Sequence, residues 1–301
     1  YTYTFPKPIP ANYLPPLNDS PSFGAEHGEL QGKPLLSGTY TVGIQAYKNY
    51  TIEGKSLRDA TNATRDVLFG DATVIEPREV VGLANCNQCH VRVEAHGGTR
   101  VDNVRYCLLC HTSGAEDRNV STAAKGTPGV SIDFRVMVHR IHNGAHLPSV
   151  LGITSDGSGN RVYTAPPVPY EVVGFNNTVH DYSKVGFPVW PNLSHPMPAD
   201  RGHSLLSSAA KGLEDTARRG VTACAKCHGD PDGAGPLASP AQGQLAYSQP
   251  SRRACGSCHD DVDWAKPYVA NGQTMPPQPT EGNCTVCHVQ QGTPLAVETA
   301  H

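Results

Sequence analysis

The sequence predicts a mostly irregular fold. Short helices gather around a row of flat apolar bodies bonded to the chain, and a small β-rich segment lies near the N-terminus. Three observations predict this. All ten cysteines fall in five copies of one five-residue pattern. Hydrophobic content is only 38%, with 26 prolines and 30 glycines, so much of the chain is loop. Residues 40–46 alternate apolar with polar or small side chains, the period of a half-covered strand.

The five copies are Cys86-Asn87-Gln88-Cys89-His90, Cys107-Leu108-Leu109-Cys110-His111, Cys224-Ala225-Lys226-Cys227-His228, Cys255-Gly256-Ser257-Cys258-His259 and Cys284-Thr285-Val286-Cys287-His288. C-x-x-C-H is the attachment pattern of c-type haem. Two thiols add to the two vinyl groups of one porphyrin, and one tight turn between them sets the sulfur separation. The next residue faces the iron, and His there supplies the proximal bond. A zinc reading needs paired C-x-x-C units closing a tetrahedron, and gives no reason for His to follow every second Cys. A disulfide reading gives none either. The sequence therefore predicts five covalently attached haem c groups, each with its iron. The fold class is then a multihaem cytochrome, with the haems as its core and staples.

The formal charge of −3 carries no basic signature, so no nucleic-acid partner is expected. No run of 18 apolar residues occurs, so no membrane span is expected either. The chain opens at Tyr1 without Met and shows no signal peptide, the expectation for a mature or partial product. Haem attachment of this type takes place outside the cytoplasmic membrane, so export is implied.

Two parts are expected: an extended arm and β-rich segment over 1–80, and a pentahaem cytochrome domain over 81–301. Residues 1–36 read as the arm, with His27 as its one ligand-capable side chain, solvated or donated to a haem. Tyr40, Val42, Ile44 and Ala46 form one face of a strand, continued by Tyr50 and Ile52 up to a turn at Glu53-Gly54-Lys55. A further strand is expected around Val74 and Ile75. Residues 81–111 hold two haem motifs with Ala95-His96-Gly97-Gly98 between them, and His96 is a candidate distal ligand whose glycines let backbone approach a flat group.

A short helix is expected over 133–144, with Asp133 at its start, Gly144 at its end and Phe134, Met137, Val138 and Ile141 as its apolar stripe. His139 and His142, at i and i+3, share one side of it and are candidate distal ligands of two different haems. His146, just beyond, reads as a propionate or solvent contact. His180 is another candidate, with Asp181 beside it to orient the ring. A helix over 203–219 would place Leu205, Leu206, Ala209, Ala210, Leu213 and Ala217 on one face. His195 and His203 flank its start, and either a haem-ligand or a loop role is open for each. Trp264 is a core aromatic or a haem neighbour. His301, near the last motif, is the remaining candidate ligand. Seven Asn-x-Ser/Thr triplets, Asn49 and Asn62 among them, leave glycosylation open.

Fourteen histidines less five proximal ones leave nine for five sixth positions, and Met197 or Met275 can serve instead. An iron with two protein ligands has no open position. Its chemistry reduces to gaining and losing one electron. The expectation is an electron-transfer protein rather than a catalyst. Arg100, Arg105, Arg140, Arg252 and Arg253 are candidate propionate partners or solvated surface charges.

Several stretches resemble the OmcA/MtrC-type outer-surface multihaem cytochromes. They are Ala95-His96-Gly97-Gly98, Phe134-Arg135-Val136-Met137-Val138-His139-Arg140-Ile141-His142-Asn143-Gly144, Val179-His180-Asp181-Tyr182-Ser183 and Arg253-Ala254-Cys255-Gly256-Ser257-Cys258-His259-Asp260-Asp261-Val262. The resemblance implies a cell-surface or extracellular protein that passes respiratory electrons to minerals, soluble shuttles or partner cytochromes. Family members usually carry ten haems in two five-haem domains, so five fits one pentahaem half or a short member. The family often has a histidine in a loop that here reads Val269-Ala270-Asn271-Gly272-Gln273-Thr274-Met275. A substitute is expected from Met275, His203, His301 or a neighbouring copy's His27. A ligand passed head to tail between copies would build a filament, a haem nanowire. If instead that iron stays open, the alternative is a multihaem reductase.

Overall fold

The computed structural model describes residues 4–14, 23, 28–118, 127, 129–174, 177–185, 203–217, 223–232, 239–270, 273–281, 283–288 and 296–297. Along them run β1 (Gly38–Ile52), β2 (Lys55–Phe69), α1 (Leu83–Cys86), β3 (Glu94–Ala95), β4 (Arg100–Val101), α2 (Val104–Cys107) and α3 (Phe134–Asn143). Then come β5 (Thr154–Ser155), β6 (Arg161–Val162), β7 (Glu171–Val173), β8 (Val179–Asp181), α4 (Ser208–Ala217), α5 (Ala225–His228), α6 (Leu245–Ser248), α7 (Arg252–Cys255), β9 (Tyr268–Ala270) and β10 (Gln273–Met275). Every sheet described is a two-stranded antiparallel ribbon. The chain divides into two compact units, residues 1–78 with 94–134, and residues 79–93 with 135–301.

In the first unit, β1 and β2 pair without a break from Gly38 opposite Phe69 to Ile52 opposite Lys55. Glu53 and Gly54 both have positive φ, 49° and 75°, which is the two-residue turn whose twist matches a hairpin. The expected alternation is present, but the covered face is the other one. Val42 and Ile44 are exposed, while Thr41, Gly43 and Gln45 are partly covered. The reason lies in what packs there. A side chain at Gly43 would meet Leu109 and, at 2.8 Å, the Tyr106 ring, so only a bare Cα admits them. Asn62 receives the Val101 amide at 2.6 Å and donates to the Thr99 carbonyl at 3.0 Å. Asp66 pairs with Arg105 and accepts from Thr41. The polar face makes the bonds, so it is the face that docks. These bonds also engage Asn62, one of the triplet asparagines.

Val74 and Ile75 lie outside any strand and are exposed, contrary to the expected third strand. The arm doubles back where it is described: Tyr13 donates to the Lys33 carbonyl and Leu35 to that of Ala11.

In the second unit, α3 spans almost the expected residues. Gly144, at φ 48°, ends it and turns the chain into a 3-10 segment, Gly144–His146. α4 is shorter than expected, and Leu205 ahead of it is 88% exposed rather than on a packed face. Among the described residues, the largest fully buried side chains are Tyr170, Tyr247, Leu147, Ile153 and Ser257. Trp264 packs edge-on to Tyr268, and its indole nitrogen lies where a side chain at Gly256 would stand. No helix among the described residues is long and apolar enough to cross a membrane.

Candidate haem centres

The five Cys-x-x-Cys-His stretches adopt one turn. In each, the His amide donates to the carbonyl of the first Cys: His90 to Cys86, His111 to Cys107 and His228 to Cys224 at 3.0 Å, His259 to Cys255 and His288 to Cys284 at 2.9 Å. The second Cys amide also donates to the first Cys carbonyl, at 3.1–3.2 Å in all five. A turn of this size is one helical turn, so both sulfurs and the imidazole leave the same side. Sequence supplies the caps for two of them. Asn103 accepts from the Tyr106 amide ahead of Cys107, and Ser251 from the Ala254 amide ahead of Cys255.

None of the ten thiols is in a disulfide. Burial, with nearby thiols adding to it, pushes Cys255 and Cys258 up to about 12 and Cys227 up to about 11.

Among the described residues, three proximal imidazoles have a second imidazole facing them. His142 lies 6.0 Å from His90 between ring centres, with planes at 87°. His96 lies 5.9 Å from His111 at 29°. His139 lies 6.2 Å from His228 at 48°. Two imidazoles on one metal ion, each nitrogen about 2.0 Å away, set their ring centres about 6 Å apart. The spacing therefore fits an iron held between each pair. His139 and His142, side by side on α3, face two different proximal rings.

Burial favours the neutral form of five of these six rings, and main-chain carbonyls hold three of them. His111 donates from Nδ1 to the Ile132 carbonyl at 2.8 Å, His142 to that of Val138 at 2.8 Å, and His228 to that of Val80 at 3.1 Å. Such bonds fix the tautomer and leave Nε2 for a metal. Burial is the main cause lowering the pKa of His96, His111, His142 and His228. Burial, then the charges of His228, His142 and Arg135, takes His139 down to about 4. The His139 Nδ1 is buried and makes no bond of standard geometry. His96 itself sits at φ 53°, followed by Gly97 and Gly98 at 65° and 75°. Its glycines thus serve the left-handed turn that presents the ring, and Arg58 fastens that turn by donating to the Gly97 carbonyl at 2.7 Å.

His180 is placed differently. It lies on β8 against Tyr182, 6.4 Å between rings, and its Nε2 faces the bare Cα of Gly174. Asp181 accepts from the Ser183 amide and pairs with Lys184, rather than orienting His180. Met275 lies in β10 opposite Tyr268. His203 opens a 3-10 segment, His203–Leu205. His27, His195, His301 and Met197 lie outside the described residues.

The arginines have partners within the chain. Arg105 meets Asp66, Arg140 meets Asp260 at 3.0 Å, Arg253 meets Glu281 at 3.0 Å and Arg252 meets it at 3.7 Å. Arg100 donates to the Thr99 hydroxyl. Sequence reasoning missed Asn85, buried ahead of Cys86, which donates to the Cys227 carbonyl at 2.8 Å and ties the first motif to the third.

A family model, outer membrane cytochrome MtrC/MtrF-like, domains II/IV, matches residues 78–301. The solved structure of the outer membrane decaheme cytochrome OmcA matches at 25% identity and a TM-score of 0.42, over 83% of this chain and 27% of that one. This chain therefore spans about a quarter of that protein's length. No curated protein matches. By the family match, which takes in all five motifs and the paired histidines, the chain belongs to the MtrC/MtrF-like outer membrane cytochromes.

Proposed function

We propose that this chain relays respiratory electrons outside the cell, through five covalently held haems, to minerals, soluble shuttles or partner cytochromes. One observation carries the reading: five motifs repeat one turn, and each ends in a histidine. Each bound haem supplies one iron that exchanges a single electron. The chain's own residues do the rest. The cysteine pairs anchor, with Cys86 and Cys89, Cys107 and Cys110, Cys224 and Cys227, Cys255 and Cys258, and Cys284 and Cys287 each holding one haem. His90, His111, His228, His259 and His288 are the proximal ligands. His142, His96 and His139 are the distal ligands at the first three sites, and closing those positions favours electron transfer over substrate binding.

The first and third motifs are tied by Asn85, and Cys224 lies near enough to Cys255 and Cys258 for its charge to raise both. Cys284 acts on Cys255 in the same way. Motifs one, three, four and five thus form a contiguous run within the second unit, a favourable layout for a relay.

The test is reduction of the purified haem-loaded protein, then mixing with ferric oxide or a soluble quinone shuttle. Rapid full reoxidation, with no cyanide binding to the resting ferric form, is expected. Cyanide binding together with turnover of a small oxidised substrate would establish a reductase instead. Self-association into a filament is the finer reading. The exposed apolar face of the hairpin, Val42, Ile44, Tyr50, Ile52 and Leu57, favours it. A monodisperse monomer at high concentration would overturn that part alone.

A further inference from the structure

We propose that Arg58, on β2, is a positioning residue for the distal imidazole of His96, so that the hairpin sets how firmly the iron at Cys107 and Cys110 is closed. The proposal rests on the haem reading above and adds to it a residue that acts through another.

The first argument is what carries the ring. His139 and His142 stand on α3, a ten-residue helix whose own backbone bonds hold them. His96 stands on the turn between β3 and β4, each only two residues long. Its φ is 53°, a left-handed value that a residue with a side chain keeps only where its surroundings require it. The ring nevertheless faces that of His111, 5.9 Å away. So short a ribbon does not hold itself in place, so the hold comes from outside it.

The second argument is that the outside hold comes from one strand. Arg58 donates from Nη1 to the Gly97 carbonyl at 2.7 Å, across 39 positions of sequence. Four residues on, along the same face of β2, Asn62 donates to the Thr99 carbonyl at 3.0 Å. Thr99 in turn donates its hydroxyl to the His96 carbonyl at 2.9 Å. The ligand turn is thus fastened to β2 at two points, and Ala60, between Arg58 and Asn62, is buried.

The third argument is that Arg58 is aimed. Its Nε donates to Asn49, directly opposite on β1, at 2.8 Å. Its guanidinium lies over the Tyr47 ring, 4.9 Å from the centre. A planar fork held at one nitrogen and along one face presents its remaining N–H groups in a fixed direction. An arginine that only adds surface charge needs neither hold. Releasing Gly97 would let the His96 backbone leave its left-handed value and carry the ring away from His111.

The test uses the full haem-loaded chain. Carbon monoxide competes with a protein imidazole for reduced iron, so the concentration that half-fills a haem reports how firmly that imidazole is held. Arg58→Met keeps an unbranched side chain beside Tyr47 and removes the donors. One haem should then half-fill at a concentration about three- to tenfold lower than in the wild type, the equivalent of one ordinary hydrogen bond. An unchanged concentration, or a change at more than one haem, overturns the proposal. Arg65→Met removes the same charge from the opposite, exposed face of β2 and should leave the titration unchanged. An effect equal to that of Arg58→Met would trace it to charge alone and overturn the proposal. In His96→Gly the same iron is already open, so adding Arg58→Met should change nothing further, and a further shift also overturns it. Arg58 and Arg65 are exposed, so neither change opens the core. A lower melting temperature with an unchanged titration would mark a purely structural contact and overturn the proposal too. A wild-type protein without low-spin haem would instead refute the underlying reading, which separates the two failures.

Discussion

His139 and His142 are adjacent on one helix, yet they face His228 and His90 respectively. Replacing His139 by Ala should therefore open one iron and leave the other closed. Alanine suits a helix interior, so the change is confined to the lost ring, whereas glycine would cost the helix about 1 kcal/mol more. Because there are five motifs, one opened iron is one fifth of the total. The low-spin signal of the ferric protein should fall by about 20%, with a matching high-spin signal and carbon monoxide binding to one haem after reduction. His142→Ala should do the same at a different iron. The double variant should lose about 40%, because the two losses are independent. Quantitative electron paramagnetic resonance and carbon monoxide titration read both. A single variant that opens two haems, or a double variant that opens only one, refutes the pairing deduced from the ring separations.

Gly43→Ala should weaken the docking of the hairpin on α2, since the added carbon meets Tyr106 and Leu109. A loss of about 1–3 kcal/mol on denaturant unfolding is expected, and no loss would show that this face is not packed. Arg140→Met should cost about 2–3 kcal/mol, because it strips the charge partner from Asp260, whose side chain is only 5% exposed. Asp260→Asn, which can still accept from Ser149, should cost less, and the reverse order in a melting series would contradict the ion pair. Ring orientation should also separate two haems. An iron bound between His90 and His142 would have perpendicular imidazole planes and two orbitals nearly equal in energy, whereas the closer alignment at His96/His111 would split them. Two distinct low-spin signals, one strongly anisotropic and one rhombic, are expected at low temperature, and identical signals would contradict the ring geometry.

What could be read from the sequence was what local chemistry decides. The Cys-x-x-Cys-His turns, the Glu53-Gly54 hairpin and the shared side of His139 and His142 all depend on residues within a few positions of one another. The covered face of the hairpin was not legible. Apolar alternation pointed to Val42 and Ile44, but the docking partner is a helix bearing Arg105 and Tyr106, and Asp66, Asn62 and Gly43 answer it. The orienting acceptors were invisible for another reason. Ile132, Val80 and Val138 act through main-chain carbonyls, which no side-chain pattern records.

Everything here depends on the cysteines being bonded to porphyrin. The most direct test is the intact mass of the denatured, reduced chain, because thioether bonds survive unfolding while metal coordination and loosely held haem do not. The polypeptide plus five haems is the predicted result. A bare polypeptide mass, or a chain that releases zinc, would contradict it.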